Sequence, residues 1–328
     1  MKKRIILLIV GLVLFLGIIG GYVFMRKNDE TDVVYVVSYR YERMYCNFLV
    51  NNIPVHTSVG KDLTIQWSFM DRIGMLLKEG HNTIGIEGVD LTNADSSSFC
   101  EMSVSAYVYN PKDETVESRE VTSLRLTYDK DGIFSIAESK DYNEPHLTSK
   151  PRLKNMDYAF YYKSNKDLQN NVLATRLLEI KHPFRTHTWK YKSEPFIDTL
   201  DNREKLWRKY EELAYVFKKK NYQNLVNSMM PGIVETENYQ GNLIERSWEK
   251  SVLGNYVDLW GADGYDVYLK DKDHVELIIS PGGELFRFRM KGDVSAISSP
   301  LTITTSLGEE YSINKTFTLV DGEIVVAY

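Results

Sequence analysis

The feature that most limits what this chain can fold into is its first 27 residues. Met1-Lys2-Lys3-Arg4 is followed by an unbroken apolar run from Ile5 to Met25, and then by Arg26-Lys27. A helix rises about 1.5 Å per residue, so the run would reach about 31 Å, close to the ~30 Å of a bilayer core. The expectation is a transmembrane helix with the rest of the chain on one side of the membrane. Three basic side chains precede the run, while Asp29, Glu30 and Asp32 follow Arg26-Lys27. That lysine and arginine bias puts the N-terminus in the cytoplasm. The expected location is therefore a bacterial inner membrane, single-pass, with the body in the periplasm. The run exceeds a secretory core, lacks an A-x-A site and has no cysteine near its end, so the anchor is expected to stay uncleaved. Gly17 and Gly21 have the G-x-x-x-G spacing that pairs membrane helices, although small residues are common in any such helix.

The remainder is long enough for two domains. The chain carries 40 basic and 45 acidic residues, a net charge of -5. Lys2, Lys3, Arg4, Arg26 and Lys27 all sit at the apolar end, so the body is more acidic than the whole. Such a body is a poor partner for nucleic acid. It suits a basic protein partner, and mild acidity also serves solubility. The 22 tyrosines favour strands and recognition surfaces. The two cysteines, Cys46 and Cys100, agree with export to an oxidising compartment. On adjacent strands they would form a disulfide, and closing so long a loop is worth on the order of 4 kcal/mol. No second Cys or His lies at metal-ligand spacing, so no metal and no cofactor are expected.

From residue 33 to 128, short β-branched and aromatic segments are separated by turn signals. Strands are predicted over Val33–Ser38, Tyr45–Val50, Leu63–Phe69, Thr83–Glu87, Met102–Tyr109 and Ser123–Tyr128, with a possible helix at Ile73–Lys78. Asn51-Asn52 and Asp131-Gly132 read as hairpin turns. A long loop over 141–155, with Pro145 and Pro151, leads to further strands at Tyr158–Tyr162, Asn171–Ile180 and Thr186–Tyr191. This is the pattern of an antiparallel β-sandwich over residues 31–200.

The pattern changes near residue 200. Asp201-x-x-Glu204 has the form of a capping box. Leu206, Tyr210, Leu213 and Phe217 then recur on one helical face, widened by Trp207 and Ala214, with Lys218-Lys219-Lys220 at the end. A short helix at Tyr222–Met229 is expected to stop at Pro231-Gly232. Another helical piece is predicted over Leu243–Lys250. Strands follow at Tyr265–Lys270, Val275–Ile279, Leu285–Met290, Leu301–Thr305, Tyr311–Val320 and Glu323–Ala327. Helices before an antiparallel sheet make residues 201–328 an α+β domain. The expected fold class is an N-terminal transmembrane helix within residues 1–30, an all-β sandwich, and an α+β domain.

Two local resemblances add to this. Phe48-Leu-Val-Asn-Asn-Ile-Pro-Val55, followed by Leu77-Lys-Glu-Gly-His-Asn-Thr-Ile-Gly-Ile86, resembles a run in jelly-roll and sugar-binding β-sandwich modules. There Gly80 and Asn82 fit a turn entering a strand. The stretch from Phe217 to Gly232, with the closing Phe317–Val325 hairpin, is similar to the NTF2-like or cystatin-like fold. That resemblance implies a curved sheet wrapped around a helix, with a concave pocket used by both enzymes and binding modules.

The chemical motifs are sparse. H-E-x-x-H, G-x-S-x-G, the P-loop and the dinucleotide fingerprint do not occur. His56, His81, His146, His182, His187 and His274 are scattered, with His182 and His187 five apart around Pro183. Two S-x-x-K matches, Ser58/Lys61 and Ser247/Lys250, lack the companion elements of serine acyl enzymes; Lys315-Thr316 is followed by Phe317. Asp129-Lys-Asp131-Gly132 opens like a calcium loop but has no closing ligands, so a hairpin is expected. The segment Asp258-Leu-Trp260-Gly-Ala-Asp263-Gly-Tyr265-Asp266 places three carboxylates beside two aromatics. It is a candidate partner-binding loop, set against the plainer reading of a solvated acidic loop with a tucked tryptophan.

With no catalytic set in the sequence, the expected function is non-enzymatic binding. The overall plan, an anchor followed by an acidic two-domain body, resembles membrane-anchored immunity proteins of toxin–antitoxin pairs. The resemblance implies a protein partner, a toxin delivered to the periplasm, blocked at its active cleft by loops of the C-terminal domain. The alternatives are a cell-envelope glycan-binding or assembly factor and an NTF2-like enzyme.

Overall fold

The computed structural model describes residues 32–327 apart from 65, 73–75, 90–95, 111–114, 130, 132, 138–146, 149, 157–159, 163–165, 169–170, 181–192, 241–252 and 254–255. The first half contributes β1 (Asp32–Glu42), β2 (Tyr45–Val50), β3 (Ile53–Thr57), β4 (Trp67–Arg72), β5 (Gly80–Val89), β6 (Phe99–Asn110), β7 (Thr115–Tyr128), β8 (Phe134–Ile136), β9 (Leu147–Thr148), β10 (Arg152–Asn155), β11 (Phe160–Tyr162), β12 (Lys166–Leu168) and β13 (Asn171–Ile180). The second half contributes β14 (Ser193–Glu194), α1 (Leu200–Lys219), α2 (Tyr222–Gln240), β15 (Asp266–Leu269), β16 (Val275–Ile279), β17 (Phe286–Met290), β18 (Leu301–Thr304), β19 (Glu310–Ser312), β20 (Phe317–Val320) and β21 (Glu323–Val326).

Two antiparallel sheets stack in the first half. One runs β4-β1-β6-β7-β8, the other β10-β13-β5-β2-β3 with β9 on β13. Alternation decides which side chains meet. Tyr35, Val37, Tyr39 and Tyr41 of β1 and Cys100, Met102 and Val104 of β6 point inward, against Cys46, Phe48, Val50, Ile84, Ile86 and Ala174. The two sheets come so close that a Cβ at Gly88 would lie 2.2 Å from Leu126 Cδ2. Cys46 and Cys100 are bonded, with their Cα atoms 5.9 Å apart. The bridge expected from the sequence is present, and it joins β2 of one sheet to β6 of the other. Asn51 and Asn52 have φ of 50° and 65°, the left-handed pair that a tight hairpin turn needs.

In the second half, a third sheet runs β14-β20-β17-β16 with β21 on β20, and a smaller one β15-β18-β19. Strand alternation splits the third sheet's contacts cleanly. Leu277, Ile279, Phe286, Phe288 and Leu319 face a core made with α1 and α2. Ile278, Leu285 and Val320 face back toward the sandwich. The order of layers is therefore sheet, sheet, sheet, helices, and the middle of the second sheet is covered on both faces, while the outward side chains of β13 and β10 stay half-buried or exposed. Strand β2 shows the result, with all six residues buried.

Several expectations need correction. The Ile5–Met25 span lies outside the described residues. Among the described residues no helix is long and apolar enough to cross a membrane, and strand, at 49%, far exceeds helix. The expected fold class with its transmembrane helix, and the single-pass inner-membrane location, are therefore not carried forward. The single curved sheet implied by the NTF2-like or cystatin-like resemblance is two sheets. The predicted Tyr311–Val320 strand breaks, so that β19 pairs with β18 while β20 pairs with β17 and β21.

Helix α1 starts at Leu200, capped by Thr199, whose side chain accepts from Asn202 N; the capping box was placed two residues late. Its expected face is buried: Leu206, Trp207, Tyr210, Leu213 and Phe217. Helix α2 does not stop before Pro231 but runs through it to Gln240. A proline costs a helix one backbone donor. Here packing overrides that cost: Gly232 passes so near β21 that a Cβ would sit 3.0 Å from the Ala327 carbonyl carbon. Strand β4 begins at Trp67 and not at Leu63. The predicted Leu243–Lys250 helix and Thr186–Tyr191 strand lie outside the described residues.

Candidate functional site

Where the third sheet crosses the outer face of the second, apolar side chains such as Leu49, Val89 and Ile278 surround a buried polar network. Asn47, on that outer face, accepts from Thr57 Oγ1 at 2.7 Å and from Ala296 N at 3.0 Å. Its Nδ2 donates to Val294 O at 2.8 Å and to Glu87 Oε2 at 3.3 Å. Glu87 in turn accepts from Arg289 Nη1 at 3.3 Å, and Arg289 Nε donates to Glu276 Oε1 at 2.5 Å. Glu87 and Arg289 are 4% and 3% exposed. Removing either partner of so buried a pair would strand the other charge away from water. A second link is made by Lys78, which donates to Pro281 O at 3.0 Å and to Glu284 Oε1 at 3.1 Å.

Beside this network lies a cleft of about 410 Å³, within the range of about 300–1,000 Å³ usual for ligand sites. Its floor is the outer face of the second sheet, with Leu49, Thr83, Gly85, Leu173 and Thr175. Arg289, Glu87, Lys154 and Met156 also line it, with Leu277, Ile278 and Ile279 from the edge of the third sheet. Arg289 is held by two carboxylates, so this group offers a fixed charge pattern. Among the described residues no group of three or more His, Cys, Asp or Glu converges as metal ligands would.

The loop singled out in the sequence lies elsewhere, at the C-terminal end of α1. Lys220, in the left-handed cap position, donates to Trp260 O at 2.6 Å and sits 4.4 Å from the Tyr265 ring centroid. Tyr265 OH donates to Phe217 O at 3.1 Å, and burial pushes its hydroxyl up to about 12. Asp263 O accepts from Ser306 N at 2.7 Å, and Asp266 lies 3.9 Å from Lys218 Nζ. Trp260 and Tyr265 thus tie the loop to the helix, while the side chains of Asp258, Asp263 and Asp266 face solvent.

The other sequence motifs are structural. Ser58 Oγ accepts from Cys46 N and donates to Met44 O, while Lys61 lies over the Phe69 ring. Asn82 Oδ1 accepts from Lys78 N and Asn51 Nδ2, and its Nδ2 donates to Lys78 O and Gly80 O. The sugar-binding-like run is therefore a locked turn entering β5. Asp129 Oδ1 caps its own hairpin by accepting from Asp131 N and Ile133 N. His56 stacks on Tyr39 at 5.0 Å among Tyr41, Phe48 and Phe69. Burial first, and then Lys61, push it down to about 4. His81 and His274 are exposed; His146, His182, His187, Ser247 and Lys250 lie outside the described residues. Sequence reasoning missed the cleft because its parts come from strands about two hundred positions apart. The one local signal was Gly85, a glycine in mid-strand, which often marks close approach of a ligand or another backbone.

Comparison of the chain with protein families, with characterised proteins and with solved structures finds no match.

Proposed function

We propose that the protein works by binding another protein, with the junction cleft as the receiving surface. The observation that supports this is the state of the cleft's buried charges. Glu87, Arg289 and Glu276 are engaged with one another, so that side of the cleft keeps a fixed shape beside the apolar Leu277, Ile278 and Ile279. The finer reading is an immunity-type role, in which the bound partner is a toxic enzyme that loses activity in the complex.

The test is an affinity pull-down with the full chain from lysate and culture fractions, read by mass spectrometry, with activity assays on whatever is captured. The expected result is one stoichiometric protein whose activity falls on adding the chain. Capture of a partner that keeps its activity would remove the immunity role but leave protein binding. Recovery of glycan, or of no stable protein, would overturn the proposal.

A further inference from the structure

Strand β16 ends the third sheet; it pairs with β17 on one side, and among the described residues no strand pairs with the other. Its outward groups can be identified. Ser280 N donates to Leu285 O at 2.8 Å, and Lys291 N donates to His274 O at 2.8 Å. Hydrogen-bonded pairs recur at every second residue of an antiparallel ladder. With Glu276 opposite Arg289 and Ile278 opposite Arg287, those residues spend their backbone groups on β17. Leu277 and Ile279 then direct theirs outward, while Val275 N donates to Lys272 O. Leu277, Ile278 and Ile279 all line the cleft. Successive residues of a strand point to opposite faces, so a cavity that touches three in a row meets the strand along its edge.

We infer that the cleft takes an extended, acidic segment of the partner protein as an added strand on the free edge of β16; this rests on the protein-binding reading above. Strand addition uses main-chain hydrogen bonds for affinity and pockets for alternate side chains for specificity. The edge supplies the N–H and C=O of Leu277 and Ile279. The floor supplies the pocket. A Cβ on Gly85 would lie 3.6 Å from Leu49 Cδ1 and 3.7 Å from Leu173 Cδ1, both cleft residues, so the missing side chain leaves room above the sheet. The charge of the segment follows from Lys154. It lines the cleft, and it has no carboxylate partner among the described residues, whereas Arg289 is already paired. Arg152 lies two residues before it on the same face of β10 and is also exposed. The edge lies recessed between two sheets, which admits one strand and hinders the edge-to-edge pairing that exposed strands invite.

The probes are synthetic blocked heptapeptides titrated into the full chain. One has the sequence Glu-Thr-Val-Ala-Val-Thr-Glu, and one carries Lys in place of both Glu. Two further acidic peptides are N-methylated at alternate amides, one in each phase. The acidic peptide is expected to bind about tenfold more tightly than the lysine peptide, and one methylated phase is expected to lose about tenfold or more, as removal of edge hydrogen bonds requires. Hydrogen exchange should slow at Leu277 and Ile279 on binding. Lys154→Glu should reverse the charge preference. Gly85→Leu, which fills the floor without placing a side chain at positive φ, should abolish binding. Equal binding of both methylated peptides, protection confined to other strands, or a concentration-dependent dimer that uses this edge would overturn strand addition. If the partner found by pull-down is still held by Gly85→Leu and Lys154→Glu, strand addition falls and protein binding stands. If neither peptide nor partner binds, both fall.

Discussion

The two faces of the second sheet are held by different kinds of contact. Its inner face meets the first sheet through Cys46, Phe48, Val50, Ile84 and Ile86, an apolar contact closed by a covalent bridge. Its outer face adds to an apolar cluster of Tyr45, Val89 and Val294 a polar network of Asn47, Glu87, Arg289 of the third sheet and the backbone of Val294 and Ala296 in the segment after β17. Apolar burial is non-directional and tolerates adjustment. A buried hydrogen-bonded network tolerates very little, because each lost partner leaves a polar group without water. The inner face therefore supplies the bulk of cohesion, and the outer face fixes how the two halves sit and what shape the cleft keeps.

The sharpest way to break this contrast is Arg289→Met. It leaves Glu87 buried and uncompensated, at an expected cost of about 3–5 kcal/mol in urea unfolding. Adding Glu87→Leu should recover most of that loss. If the single variant costs no more than a surface pair, the outer face is not the rigid element argued for here. Next in size is Cys46→Ala with Cys100→Ala, expected to cost about 2–4 kcal/mol. Hydrogen exchange should then quicken in both sheets of the sandwich while Val294 and Ala296 stay protected; loosening at Ala296 instead would mean that the two faces are coupled.

The smallest effect concerns His56, at the aromatic end of the inner face. Its folded pKa of about 4 lies below the ~6.5 of an unfolded histidine. The unfolded chain thus binds the extra proton first. The stabilisation is complete above about pH 6.5 and is lost as pH falls toward 4, by about 1 kcal/mol or less once partial exposure is allowed for. His56→Phe, which keeps the stack on Tyr39, should flatten the difference between unfolding midpoints at pH 7 and pH 5. An unchanged difference would assign the acid sensitivity elsewhere.

What the sequence made legible follows the same division. Strand β2, β13 and β16 boundaries, the paired cysteines and the buried face of α1 all rest on local period or on residue type. The predicted Val33–Ser38 strand covers Tyr35 but stops short of the inner Tyr39 and Tyr41 of β1. The outer face was illegible because Asn47 and Glu87 look like ordinary solvent-facing positions. Nothing near them in the chain announces Arg289. Pro231 misled for a related reason: the close seat of Gly232 against β21, which carries the helix through, is set by residues almost a hundred positions later. The loop at Asp258–Asp266 drew attention by composition, yet its aromatics turn inward.

The hydrogen bonds of Asn47 carry one more consequence. Its partners Val294 and Ala296 lie 247 and 249 positions further along the chain. A ribosome delivers the chain from the N-terminus at about 5–20 residues per second. The outer face of the second sheet thus stands uncovered during synthesis until its lid has been made. Further leucines beside Leu49 and Leu173 would make that face stickier on the nascent chain; Asn47, Thr57, Thr83, Glu87 and Thr175 keep part of it wettable in the meantime. The polarity that shapes the finished junction also protects the half-made protein.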